Sequence, residues 1–276
     1  MKKNFNEINL NIHTPESLYS PEKIPIIFLH GFTGSGVDWQ NITGRTDNNF
    51  YPIAPDLIGH GESDSPDDAY HYTEQAMIEQ LDFIISTFKF TRIILCGYSM
   101  GGRLALSYTS RYPEKVSGLI LESTTACISG ETERSERRKN DELLAQKLLD
   151  EGVESFINYW MNIPLFSSLH KNPGVDIKEL IKKRINNSAV GLANSLRGFG
   201  TGYMLDHWED IVTFKQNTLL ITGELDTKYS EINNKMKKKI QHCQHEIIKE
   251  CGHNTHLEKP EEFFILVSSF IRTFIL

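Results

Sequence analysis

Hydrophobic residues along this chain follow two alternating rhythms. Apolar runs of a few residues, Ile24 to Leu29 (IPIIFL), Ile93 to Cys96 (IILC), Val116 to Leu121 (VSGLIL) and Thr218 to Thr222 (TLLIT), have the length and β-branched content of strands buried on both faces of a parallel sheet. Ile8 to Ile12, Tyr51 to Asp56 and Glu246 to Lys249 read as shorter strands. Between them the apolar positions take helical spacing: Ala76, Met77, Leu81, Ile84, Ile85 and Phe88 within 73–88, with Thr73 as N-cap, then Leu104, Ala105 and Tyr108 within 101–111. Pro260 to Phe274 closes the chain as an amphipathic helix. Strands alternating with helices predict an α/β fold whose central sheet is mainly parallel and flanked by helices.

The rhythm breaks between Cys127 and Tyr203, where helical segments such as Glu142 to Leu149 and Val153 to Trp160 replace the strand signal. This predicts a core domain of residues 1–126 and 204–276, interrupted by an inserted helical cap of residues 127–203. The cap would lie over the carboxyl edge of the sheet, where open α/β sheets bind ligands. A length of 276 residues suits one domain with one insertion.

Composition narrows the function classes. With 39% hydrophobic and 24% charged residues the chain is an ordinary globular one, and its formal charge of -7 argues against nucleic-acid binding or adhesion to an anionic membrane. A local basic pocket remains open. MKKNFNEINLNIH has no apolar run behind its lysines, and no window reaches the length of a membrane span. Cys96, Cys127, Cys243 and Cys251 are scattered, without metal-ligand spacing or the density of a disulfide scaffold. A reducing cytoplasm is the expected compartment.

Candidate chemistry centres on Gly97-Tyr98-Ser99-Met100-Gly101, set between the strand at 93–96 and the helix that follows. Glycines on either side of the serine relieve a turn tight enough to strain Ser99 and leave its hydroxyl at the mouth of the sheet. The amide of Met100, at a helix N-terminus, would face a developing negative charge. A second amide, that of Phe32, is offered by His30-Gly31-Phe32-Thr33-Gly34, although such a triplet also reads as a plain turn. Serine needs an imidazole to take its proton and a carboxylate to orient that imidazole. Asp226 in GELD and His253 in CGH, each just past a predicted strand, supply them in the order Ser, Asp, His, with Glu224 and His256 as competitors.

HGFTGSGVDW, PDLIGHGES, GYSMGG, GELD and CGHNTH together resemble the α/β-hydrolase superfamily across almost the whole chain. More finely, GYSMGGRLALSYTSRYPEKVSGLILES, ERRKND, FINYWMNIPLFSSL and KKRINNSAVGLANSLRGFGTGYM resemble the 2-succinyl-6-hydroxy-2,4-cyclohexadiene-1-carboxylate synthases of menaquinone biosynthesis. The resemblance implies a lyase without cofactor or metal, in which a proton is abstracted, pyruvate leaves and a cyclohexadiene forms. Ser99, Asp226 and His253 match the family's catalytic residues, Arg103, Arg137 and Arg184 its carboxylate-binding arginines, and Tyr98 and Trp160 its pocket aromatics. One departure is Cys127-Ile128, where family members often carry Pro-Gly. The implied partner is a small polycarboxylate, with no nucleic acid and no stable membrane insertion.

The residues bear on this independently. Arg103 lies four positions after Ser99 on one helix face, and a planar guanidinium fork suits a carboxylate. Arg137 sits in the charged stretch ETERSERRKND, where it reads equally as a solvated helix position and where Arg138 competes with it. Arg184 follows Lys182 and Lys183 in a similar setting, and Trp160 also suits a core role. A serine hydrolase of an ester or a carbon–carbon bond is the alternative on the same fold.

Overall fold

The structure, a computed structural model, describes residues 1–20, 22–45 and 49–275. Eight strands form one sheet in the order β1-β2-β4-β3-β5-β6-β7-β8. In chain order they are β1 (Lys2–Phe5), β2 (Ile8–His13), β3 (Ile24–Leu29), β4 (Phe50–Pro55), β5 (Ile93–Tyr98), β6 (Val116–Glu122), β7 (Asn217–Gly223) and β8 (Cys243–Ile248). From β4 to β8 every pairing is parallel, while β1 and β2 add an antiparallel hairpin at one edge. Sequence patterning missed β1 for a physical reason: Lys2 to Phe5 is an edge strand of alternating exposed and half-buried residues, so it carries no apolar run.

Helices cover both faces: α1 (Gln40–Thr43), α2 (Glu74–Thr87), α3 (Met100–Arg111), and, after an insertion, α8 (Thr227–Lys239), α9 (Thr255–Glu258) and α10 (Pro260–Phe274). The two faces explain the continuous apolar strands. Along β5, Ile93 and Leu95 join a layer with Leu81 of α2 and Leu104 of α3, whereas Ile94, Cys96 and Tyr98 join the opposite layer with Trp39 and with Phe263 and Val267 of α10. Fully burying a side chain of this kind contributes roughly 1.5–3 kcal/mol. Thr73 caps α2 by accepting from the Ala76 amide at 3.4 Å.

Between β6 and β7 the chain forms α4 (Glu131–Met161), α5 (Ser167–Lys171), α6 (Ile177–Ile185) and α7 (Ala189–Phe199). A break at Gly152, with φ 80 and ψ 167, divides α4 into two pieces, the second matching the segment predicted from Val153. Its first piece begins at Glu131, well before the predicted Glu142, because the charged stretch lies on an exposed helical face without an apolar period to betray it. These helices share their own apolar cluster around Leu148, Phe156, Leu192 and Leu196, and Phe32 of the sheet rim packs against it. The outgoing and returning chain segments run side by side, the His207 amide donating to Ala126 O at 3.0 Å. Among the described residues no helix is long and apolar enough to cross a membrane.

Candidate active site

Ser99 stands between β5 and α3 with φ 49 and ψ -105, a conformation that costs a non-glycine residue on the order of 1–3 kcal/mol. Its surroundings leave it no other: the Ser99 amide donates to Glu122 O at 2.9 Å, and Ser99 O accepts from Thr124 Oγ1 at 2.8 Å and from the Arg103 amide at 3.1 Å. The flanking glycines are required by contact. A Cβ on Gly101 would stand 2.2 Å from Leu29 O, and one on Gly97 2.4 Å from Gly101 O.

Two loops bring the partners to this hydroxyl. Asp226, just past β7, caps α8 by accepting from the Tyr229 amide at 3.3 Å through Oδ1. Its Oδ2 lies 2.6 Å from His253 Nδ1, and His253 Nε2 lies 3.2 Å from Ser99 Oγ. A carboxylate on Nδ1 holds that proton in place and leaves Nε2 as the acceptor facing the serine. The competing residues go elsewhere. Glu224 is exposed and accepts from the Glu250 amide, while His256 is buried with Glu122.

Phe32, Ser99, Met100, Arg103, Arg137 and Trp160 line a cavity of about 380 Å³ between the sheet rim and the insertion. Met100 is the first residue of α3, so its amide lies at the positive end of that helix. Phe32 follows β3, its ring set edge-on to Trp160 at 5.4 Å and to His60 at 5.8 Å. His60 is neutral in this setting, since burial, with neighbouring His30 adding to it, pushes its pKa down to about 3.

The predicted arginines divide. Arg103 is buried against the cavity, donates to Phe199 O at 2.5 Å and places its guanidinium 5.0 Å from the Phe199 ring centroid. Burial first, then Arg137, pushes its pKa down to about 10, which keeps it charged at neutral pH. Arg137 lines the same cavity and donates from Nε to buried Asp141 at 2.8 Å. Arg138 instead donates to Gly202 O and pairs with Glu131, which separates these two neighbours.

Arg184 lies outside the cavity lining. It is buried beside the loop after β3, donating to Thr33 Oγ1 at 3.1 Å and pairing with Asp38 at 3.5 Å, because α6 runs behind that loop. Tyr98 also lies outside the cavity lining. As the last residue of β5 its side chain follows the pleat into the core layer, with its ring 5.3 Å from His253 and 5.1 Å from His256. Trp160 does line the cavity, stacked on Phe156 at 5.8 Å.

Lys228 and Tyr229 also line the cavity and were not anticipated, Tyr229 with its ring 4.6 Å from His253. Their signal was present in the sequence: they occupy the first turn of the helix that Asp226 caps, so they must stand close to wherever Asp226 is used. Among the described residues no group of three or more His, Cys, Asp or Glu side chains has the arrangement to hold a metal ion.

A strained serine at a strand-to-helix turn beside a cavity, with an imidazole and a carboxylate in line behind it, defines a class. The chain belongs to the alpha/beta hydrolase fold family, whose model matches residues 24–260. Within that class it is 40% identical over 247 residues to a Bacillus subtilis (strain 168) protein provisionally named a 2-succinyl-6-hydroxy-2,4-cyclohexadiene-1-carboxylate synthase, covering 89% of each chain. It is 26% identical over 248 residues to the synthase of that name from Enterobacter sp. (strain 638), covering 90% of this chain and 91% of the relative. The solved structure of MenH from S. aureus superimposes with a TM-score of 0.87 at 34% identity, covering 95% of this chain and 97% of the other.

Proposed function

We propose that the chain is a pyruvate-eliminating lyase of menaquinone biosynthesis. It converts 2-succinyl-5-enolpyruvyl-6-hydroxy-3-cyclohexene-1-carboxylate into 2-succinyl-6-hydroxy-2,4-cyclohexadiene-1-carboxylate and pyruvate. The reading is supported above all by the 40% identity to a relative of that name over 89% of each chain. Two arginines on the cavity that Ser99 faces add to it, since they suit a substrate bearing several carboxylates.

In this mechanism His253, oriented by Asp226, takes the Ser99 proton. The serine oxygen then removes the ring proton adjacent to the succinyl carbonyl. Negative charge moves onto that carbonyl oxygen, where the amides of Phe32 and Met100 stabilise it. As the charge returns, a double bond forms at the deprotonated ring carbon, the existing ring double bond shifts by one position, and the ring carbon–oxygen bond breaks. The departing enolpyruvate takes up the proton held by His253 and becomes pyruvate. Arg103 and Arg137 hold carboxylates throughout. No cofactor enters the scheme, and the cytoplasm is the compartment that suits four thiols without a disulfide.

The direct test is incubation with the enolpyruvyl precursor, following pyruvate and the precursor's absorbance. Turnover no faster than spontaneous elimination would overturn the reading. Protein quenched during turnover should be unmodified by mass spectrometry, because the serine attacks a proton. A substrate-derived adduct on Ser99 formed at a competent rate would favour the hydrolase alternative.

A further inference from the structure

A third cation borders the cavity besides Arg103 of α3 and Arg137 of α4: Lys228 of α8. The arginines already have protein partners. Arg103 donates to Phe199 O, and Arg137 is paired with the fully buried carboxylate of Asp141. Lys228 is different. Its side chain is exposed, its ammonium lies 5.6 Å from the Tyr229 ring centroid, and among the described residues no carboxylate stands within ion-pair distance of it.

Helix electrostatics gives no reason for a lysine there. Lys228 is the second residue of α8, where unsatisfied amides make a positive end that disfavours a cation. The lysines that suit this helix are Lys237, Lys238 and Lys239 in its last turn.

We propose that Lys228 is a substrate-binding residue that takes one carboxylate of the ligand at the mouth of the cavity. The inference rests on the function proposed above. That substrate has three carboxylates, on the ring, at the end of the succinyl arm and on the enolpyruvyl group, and three cations line the cavity. Because Tyr229 joins Lys228 to His253, the carboxylate it holds lies beside the imidazole on the solvent side, whereas Arg103 receives another in the interior. An ammonium is a flexible point charge without the planar fork of arginine, so it attracts without imposing a geometry. Such a contact is equally strong in the ground and transition states, and its loss raises KM while kcat stays.

The test compares the full-length wild type with Lys228→Met, Lys228→Arg and Lys228→Glu. Lys228→Met should raise KM for the enolpyruvyl substrate about tenfold with kcat within about twofold, Lys228→Glu should raise it further, and Lys228→Arg should keep most of the affinity. An unchanged KM in Lys228→Met makes Lys228 a solvated surface lysine and overturns the inference while the reaction stands. If the wild type releases no pyruvate, the reaction is wrong and citrate, a tricarboxylate that cannot eliminate, decides the site by calorimetry. Weaker citrate binding to Lys228→Met than to wild type then supports a carboxylate site; equal binding, or none to either, removes it.

Discussion

Two imidazole–carboxylate pairs lie side by side at the carboxyl edge of the sheet. His253 and Asp226 meet at 2.6 Å, and so do His256 and Glu122. Their chemistry is the same; their surroundings are not. His253 presents its free nitrogen to Ser99 on the cavity wall. His256 is enclosed, stacked on Trp39 at 3.9 Å with its Nε2 buried and unpartnered. Glu122 spends its carboxylate on the Thr255 hydroxyl, the His256 amide and the His256 ring, while its backbone carbonyl holds the Ser99 amide. A hydrogen-bonded histidine and acid are therefore not an active site in themselves. Only the first pair has a hydroxyl and a cavity beyond it; the enclosed pair ties β6 to the turn that carries His253.

Breaking the pair beside the cavity should give the largest effect. Ser99→Ala and His253→Ala should each lower kcat by at least about 10³-fold, and the double variant should be little worse than either, since the residues act as one unit. Fully additive losses in steady-state kinetics would refute a shared proton relay.

Breaking the enclosed pair should show up in stability. Removing one partner of a buried pair costs about 3–5 kcal/mol, so Glu122→Ala should lower the thermal midpoint by roughly 10 °C, read by calorimetry. Activity of the folded fraction should fall by less than about tenfold, because the carbonyl that holds Ser99 remains. A kinetic loss equal to that of Ser99→Ala would place Glu122 in the catalytic machinery.

Arg103 comes next. A charge-assisted bond to a carboxylate is worth about 1.5–3 kcal/mol, so Arg103→Ala should reduce kcat/KM by roughly ten- to a hundredfold. Arg103→Lys should recover only part of this. Equal damage measured with a small neutral ester would show that Arg103 supports the turn at Ser99 instead of binding carboxylate.

The smallest effect concerns another buried histidine, His207, which bridges Glu74 and Asp210 where the insertion returns to the core. Burial alone would lower its pKa, but the two carboxylates outweigh burial and raise it above the ordinary 6.5. A raised folded-state pKa means that this stabilisation is complete below 6.5 and is lost as pH rises through the folded value. The thermal midpoint should fall as pH rises through that window by roughly 2–4 °C per kcal/mol lost, and His207→Gln should flatten that part of the profile. An identical slope in the variant would remove His207 as its source.

Much of this arrangement follows from interactions that act over a few residues. A continuous apolar run makes a strand with two buried faces, and the alternation of Ile93 and Leu95 with Ile94 and Cys96 between two core layers is the direct result. Gly97 and Gly101 around Ser99 announce a close backbone approach, and the order of strands and helices dictates a parallel sheet whose loops gather at one edge. The fold, the turn from Gly97 to Gly101 and the GELD and CGH loops were legible for that reason. Other features depend on partners distant in the chain. Asp226 and His253 meet Ser99 across separations that no local pattern encodes, and only their packing distinguishes His253 from His256. Arg137 and Arg138 are adjacent on one helix, yet one turns toward the cavity and the other toward Gly202, since successive helical residues point in different directions. Arg184 is drawn to Asp38 behind the loop that follows β3, a pairing set by where α6 comes to rest. Composition, period and turn chemistry act locally and so are written in the sequence, whereas the direction of a charged side chain is decided by the nearest countercharge in space, which only the folded chain supplies.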